Sequence, residues 1–259
     1  MSIITLTTDF GAADPFVGIM KGVIAGRAPT ARVIDLTHGV PPHDVLAGAL
    51  ILRHSVPYFP RSTIHLAVVD PGVGSERRAL CVETAGTLLV GPDNGLLSLA
   101  APRIEIRRII HLTAEHFFLS PRSATFHGRD VFAPVAAALA AGTPVEKLGS
   151  EVRDMQRLDL PPVVREGHAL RGQVIYVDHF GNLVTNVSAA DLAGLTVRAP
   201  SIGIGNVRLR GVAPSYAAVQ RGEPVAVVNS WGLVELAVRE GSARDQLGAS
   251  VGAAVVIEA

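Results

Sequence analysis

Short apolar runs rich in β-branched residues alternate, over the first 145 or so positions, with longer segments of helical period. Ile3 to Thr7 reads as a buried strand, and Phe16 to Arg27 as the helix that follows. Val33 to Leu36 predicts a second strand, Val45 to Val56 a second helix and Ile64 to Val69 a third strand. Ala79 to Glu83 and Thr87 to Val90 flank Thr84-Ala85-Gly86, which signals a hairpin. The helix predicted over Val131 to Ala141 has Asp130 at the N-cap position and Gly142 just past its end. Such alternation predicts an α/β N-terminal domain with a largely parallel sheet between helices.

Between Thr143 and Gly167 the alternation fails: Pro161-Pro162 and a cluster of charges interrupt it, and no helical period survives. A boundary there gives domains of 1–160 and 161–259. Beyond it come short alternating segments, Gln173 to Asp178, Leu183 to Val187, Val197 to Ile204, Val207 to Leu209, Val225 to Asn229, Val234 to Val238 and Ala254 to Ile257. Turn residues separate them with hardly any helix signal, which predicts a small β-barrel or sandwich.

Composition narrows the function. Hydrophobic residues make up 48% of the chain and charged residues 18%, so it is an ordered globular protein. Its 23 basic and 23 acidic residues balance, leaving no net field to gather phosphate backbones or anionic lipid. A small-molecule substrate is expected, with no nucleic acid and no membrane as partner. Cys81, the single cysteine, sits in the apolar run Ala79-Leu80-Cys81-Val82 and reads as a buried strand residue. The start, Met1-Ser2-Ile3-Ile4-Thr5-Leu6, lacks the basic region and long apolar core of a signal peptide, which makes the cytoplasm the expected compartment.

In open α/β sheets ligands sit beyond the carboxyl ends of strands. Thr8-Asp9-Phe10-Gly11 follows the first strand, Asp70-Pro71-Gly72-Val73-Gly74 the third and Gly91-Pro92-Asp93-Asn94-Gly95 the hairpin, while Phe126-His127-Gly128-Arg129-Asp130 precedes a helix. Each could be a plain turn, since turns need the same residue types; four at strand ends point to a site. The chain has no G-x-S-x-G elbow, no H-E-x-x-H zinc helix, no G-x-x-x-x-G-K-[ST] loop and no G-x-G-x-x-G after the first strand. Its nine histidines show no metal-ligand spacing.

Those segments, with Asp178-His179-Phe180-Gly181-Asn182 and Asn229-Ser230-Trp231-Gly232-Leu233-Val234-Glu235, together resemble the S-adenosyl-L-methionine hydroxide adenosyltransferases, relatives of the fluorinase and chlorinase. The resemblance runs in order over nearly the whole chain. It implies an α/β N-terminal domain and a C-terminal β-barrel, no cofactor and no metal, and hydrolysis of S-adenosylmethionine to adenosine and methionine. It implies Asp70, Arg77 and His127 as the catalytic set, a homotrimer, and substrate held between the N-domain of one subunit and the C-domain of the next. Asp9 would hold the ribose hydroxyls; Asp178, Asn182 and Ser230 would grip the methionine end; Asn229, Trp231 and Glu235 would lie near adenine. Where the halogenases place Tyr-Ser, this chain has His127-Gly128. Pro42-His43 and Val184 replace positions that are aromatic in the fluorinase. The first difference favours water over halide.

These residue types suit that reaction. A sulfonium expels a neutral thioether, so the leaving group needs no proton, and the difficulty lies in activating water, whose pKa is about 15.7. Arg77 and His127 can favour negative charge on a bound oxygen, while Asp70 orients it. Arg78 competes for the role of Arg77, but strand alternation turns neighbouring side chains to opposite faces. A plain Asp70–Arg77 salt bridge is the bland alternative. Two rival functions stand beside the hydrolase. One is a Ca²⁺-dependent nucleoside hydrolase, suggested by Thr8-Asp9-Phe10-Gly11-Ala12-Ala13-Asp14 although Ala12-Ala13 stand where acids would be needed. The other is a sensor that binds adenosine or S-adenosylmethionine without turnover.

Overall fold

In the computed structural model the run Ile3–Thr8 becomes strand β1, an inner strand of a sheet, buried along almost its whole length. Residues 2–102, 105–195 and 199–259 are described, and the chain divides into two compact units, 1–158 and 159–259.

The first unit continues with α1 (Phe16–Arg27), β2 (Arg32–Thr37), α2 (Val45–Ser55), β3 (Ile64–Val68), β4 (Ala79–Thr84), β5 (Leu88–Pro92), β6 (Ile106–Leu112), α3 (Ala133–Ala140) and β7 (Gly149–Val152). Helix α1 buries Val17, Met20 and Ile24, a stripe at helical spacing, against one face of the sheet. Asp44 caps α2, its carboxylate accepting from the Ala47 N–H at 2.9 Å. On that helix Gly48 packs close: an added Cβ would lie 2.8 Å from Leu96 Cδ1 and 3.1 Å from Val69 Cγ2. Ile4, Leu6, Ile64, Leu66 and Val68 supply alternate strand positions to the core shared with α1 and α3. Each such fully buried Leu or Ile contributes roughly 2 kcal/mol. Cys81 is fully buried on β4, and burial pushes its thiol up to about 12.

The sheet order is β2-β1-β3-β5-β4-β6-β7. Pairings β2·β1, β1·β3 and β3·β5 are parallel, whereas β5·β4, β4·β6 and β6·β7 are antiparallel. The expectation of a largely parallel sheet between helices is therefore wrong: the sheet is mixed. The hairpin β4–β5 reverses direction inside it, and β6 and β7 extend the antiparallel half without helical crossovers. Neither β6 nor β7 was expected, because Arg107-Arg108 break the apolar alternation of one and the other is only four residues long. The helix expected at Val131 instead starts with a π turn over Gly128–Phe132 that runs into α3. Asp130 lies inside that turn and does not cap it.

The second unit comprises β8 (Val164–Glu166), β9 (Ala169–Val177), β10 (Leu183–Ser188), α4 (Ala189–Ala193), β11 (Ser201–Ile204), β12 (Val207–Arg210), β13 (Pro224–Val228), β14 (Leu233–Val238), α5 (Ala243–Leu247) and β15 (Ala254–Glu258). Of the strand expected over Val197 to Ile204, Val197 and Arg198 lie outside the described residues. All pairings between these strands are antiparallel, giving one eight-stranded sheet in the order β12-β11-β15-β9-β10-β14-β13 with β8 on β9. It is larger than the small barrel expected and nearly, but not fully, closed. Just past β12, Ala213 bridges Val227 of β13, drawing the two ends of the sheet toward each other. Alternate positions such as Ile202/Ile204, Val234/Leu236/Val238 and Val255/Ile257 fill its interior.

Candidate active site

Three of the four strand-end segments converge in the first unit. Asp9 follows β1, Asp70 follows β3, and His127 precedes the π turn; all three line one cavity of about 260 Å³ with Phe10, Phe16 and Phe126. The fourth segment has another task. Asp93 is buried and accepts from Arg78 Nε at 2.8 Å and from the Gln156 N–H at 2.6 Å. The Asn94 amide donates to the Val69 carbonyl at 2.9 Å, bracing the residue before Asp70.

Arg77 joins the group. Its Nε donates to Asp70 Oδ1 at 2.9 Å and its Nη2 reaches His127 Nδ1 at 2.9 Å. Both charged side chains are almost wholly buried, Arg77 being 8% exposed and Asp70 5%, so this pair is screened far less than a surface ion pair. The guanidinium also lies 5.3 Å from the centroid of the Phe132 ring. Arg78 points elsewhere, to Asp93 and Asp154.

The Arg77 contact fixes the chemistry of His127. A guanidinium can only donate, so Nδ1 accepts and the ring proton resides on Nε2. Burial, then the charges of Arg77 and Arg122, hold the imidazole below the ordinary histidine pKa, outweighing Asp70 and Asp130. His127 is thus a neutral N–H donor at pH 7. Asp130, a turn later, is buried and holds the neighbouring loop: it accepts from the Ser123 N–H at 2.8 Å and from Arg129 Nε at 2.6 Å.

Close backbone approaches set the positions. Gly128 could not carry a Cβ without pressing within 3.2 Å of Met20 Sδ and Phe126 Cε2, which lets the π turn sit against α1. Gly74 combines φ +80° with an approach to the Ala124 carbonyl oxygen that a Cβ would block. It therefore registers the Asp70 loop against the loop that carries His127. Gly74→Ala is expected to lower stability by about 1–3 kcal/mol and kcat with it, read by thermal melting and steady-state rates; unchanged values for both would refute this role. Asp9 Oδ2 accepts from the His43 N–H at 2.9 Å, and Pro42 and His43 complete the cavity wall.

The remaining predicted residues lie in the second unit. Asp178, at the end of β9, accepts through Oδ1 from the N–H groups of Phe180 and Asn182, both at 2.9 Å, and through Oδ2 from Asn182 Nδ2 at 2.9 Å. Asn229 turns the β13–β14 connection: its Oδ1 accepts from the Trp231 N–H at 2.9 Å and its Nδ2 donates to Glu235 Oε2 at 2.9 Å. A cavity of about 490 Å³ is lined by Asp178, Asn229, Ser230, Trp231 and Glu235, with Val184 on its wall. An adjoining one of about 600 Å³ takes in Asn182.

Tyr216 was missed from the sequence. Its hydroxyl donates to Glu235 Oε1 at 2.7 Å, so with Asn229 it satisfies both oxygens of a buried carboxylate. Burial, then the Glu235 contact, raises its pKa. A lone aromatic in the irregular segment after Pro214 carries no periodic signal; Tyr176, its ring centroid 5.3 Å from that of Trp231 and tilted 34° to it, was equally hidden inside a strand. Among the described residues no group of three or more His, Cys, Asp and Glu is arranged to hold a metal ion, and no helix is long and apolar enough to cross a membrane.

Known proteins resemble this chain over nearly its full length. The family models described as the SAM hydroxide adenosyltransferase N-terminal and C-terminal domains match residues 4–149 and 172–256. A protein of Salinispora tropica named (R)-S-adenosyl-L-methionine hydrolase is 44% identical, over 96% of this chain and 95% of its own. One of the same name from Thermus thermophilus is 42% identical over 95% of each. The crystal structure of an uncharacterized conserved protein from Thermotoga maritima superposes with a TM-score of 0.92 at 34% identity, covering 99% of this chain and 100% of that one. The chain belongs to the SAM hydroxide adenosyltransferase family.

Proposed function

We propose that the protein is a hydrolase that converts S-adenosyl-L-methionine and water to adenosine and L-methionine. The observation that carries this reading is the buried Asp70–Arg77–His127 cluster beside the Asp9 cavity, in a chain that matches S-adenosyl-L-methionine hydrolases over nearly its full length. Water attacks the C5′ carbon in line with the departing sulfur. Asp70 accepts a hydrogen bond from it and fixes its lone pair, while Arg77 and the Nε2–H of His127 favour its hydroxide form, whose charge is spent as the bond to C5′ forms. Low exposure raises the worth of each contact. No metal or other cofactor takes part in this scheme.

Asp9 holds the ribose hydroxyls, Asp178, Asn182 and Ser230 bind the methionine end, and Asn229, Trp231 and Glu235 surround adenine. The internal bonds of Asp178 with Asn182 and of Asn229 with Glu235 support these roles, since each presents a pre-set polar edge to a cavity. The assembly is a homotrimer in the cytoplasm, with substrate shared between copies. In support, the 260 Å³ cavity lies below the roughly 300–1,000 Å³ of ordinary ligand sites. The test is incubation of EDTA-treated protein with S-adenosylmethionine, adenosine and methionine being followed by chromatography and subunit number by light scattering. Equimolar products from a particle of three chains are expected. Tight adenosine binding without products would make the protein a sensor instead, and release of free base only once calcium is restored would make it a nucleoside hydrolase.

A further inference from the structure

A second cavity, of about 220 Å³, lies in the first unit and also reaches the reacting cluster. His127 lines this cavity and the Asp9 cavity alike, whereas Asp70 borders only the latter and Arg77 only the former. The Arg77–His127 contact is therefore a partition one side chain thick. On the Asp9 side the wall includes an aromatic cluster, Phe10, Phe16 and Phe126 meeting edge to face. On the other side polar groups, exposed Ser75, Glu76 and Arg122 and half-buried His111, stand beside the apolar Leu112 and Phe118.

We propose that this second cavity admits the reacting water and lets the released proton out, so that neither has to pass the bound nucleoside. The inference rests on the hydrolase reading. In that reaction the water oxygen bonds to C5′, the C5′–S bond breaks and its electron pair leaves on sulfur as the neutral thioether. One proton of water stays on the new 5′-hydroxyl; the other must reach solvent at every turnover. In that reading the ribose held by Asp9 closes the Asp9 side while substrate is bound. The second cavity has room for several waters at about 30 Å³ each, with polar partners for them. At its mouth the exposed Glu76 carboxylate attracts a proton outward.

The test places tryptophan at either lip, Glu76→Trp and Arg122→Trp, with Glu76→Ala as the open counterpart of the first. Adenosine affinity and KM should stay within about twofold of wild type, while kcat falls about fivefold or more in both tryptophan variants. The solvent deuterium isotope effect on kcat should rise in them, because water and proton transfer become limiting, and Glu76→Ala should turn over faster than Glu76→Trp. Wild-type kcat and isotope effect in both tryptophan variants would overturn the inference. So would loss of adenosine binding in both, since the cavity would then be part of the nucleoside site. A wild-type protein that forms no adenosine would instead overturn the hydrolase reading itself.

Discussion

Replacing Arg77 by alanine should lower kcat by about a hundredfold or more, the size of effect, about 10²–10³, that loss of one preorganised donor to a reacting oxygen produces. Two further losses compound it. The Asp70 carboxylate, 5% exposed, is left without its ion partner, and His127 is freed from the bond that fixes its tautomer. An abandoned buried charge also destabilises the fold by about 3–5 kcal/mol, so a drop in rate alone would not separate chemistry from folding. Arg77→Lys makes the separation. An ammonium can stay near Asp70, but its compact charge on a flexible stem cannot keep the planar fork that serves both Asp70 and Nδ1 of His127. The lysine variant should melt closer to wild type and still have lost most of its turnover, as steady-state rates beside thermal melting would show. Full turnover in either variant would leave the cluster a structural salt bridge.

The second large effect concerns acid. His65 sits fully buried in the middle of β3, its Nδ1 2.8 Å from Thr5 Oγ1, its Nε2 without a hydrogen-bond partner and its ring edge-on to Phe59. Burial lowers its pKa to about 4. The unfolded chain, with an ordinary histidine near 6.5, binds this proton first. Stability from His65 is thus complete above about pH 6.5 and is lost as the pH falls toward 4, amounting to about 3 kcal/mol at the end of that window. Urea midpoints measured from pH 7.5 down to 4 should decline with that span, and in His65→Gln the slope should flatten. Equal slopes in the two proteins would show that other groups govern the acid limb.

What could be read without coordinates follows from the range of the forces involved. Helix α1 begins and ends where the apolar stripe of Phe16 to Arg27 predicts, because helical period is a local property. Sheet direction is not local. Nothing in Ala79 to Val90 tells that its hairpin reverses the sheet, and the charges of Arg107-Arg108 concealed a strand whose buried residues are Ile109, Ile110 and Leu112. Asp130 shows a different limit: an acid before an apolar run fits a cap, and the same letter fits a buried anchor for Ser123 and Arg129. The meeting of Asp70, Arg77 and His127 was available only through family resemblance, since no periodicity links positions 70 and 127. Tyr216 had neither route, and only its hydrogen bond to Glu235 reveals it.

The sealing of Cys81 inside β4 has a practical side. With its thiol pushed up to about 12 and no solvent path to it, alkylating reagents and air have nothing to act on. The native protein can be handled without reductant. A cysteine introduced at any exposed position becomes its one addressable thiol, so a fluorophore or spin label can be attached at a chosen point without first removing the native residue.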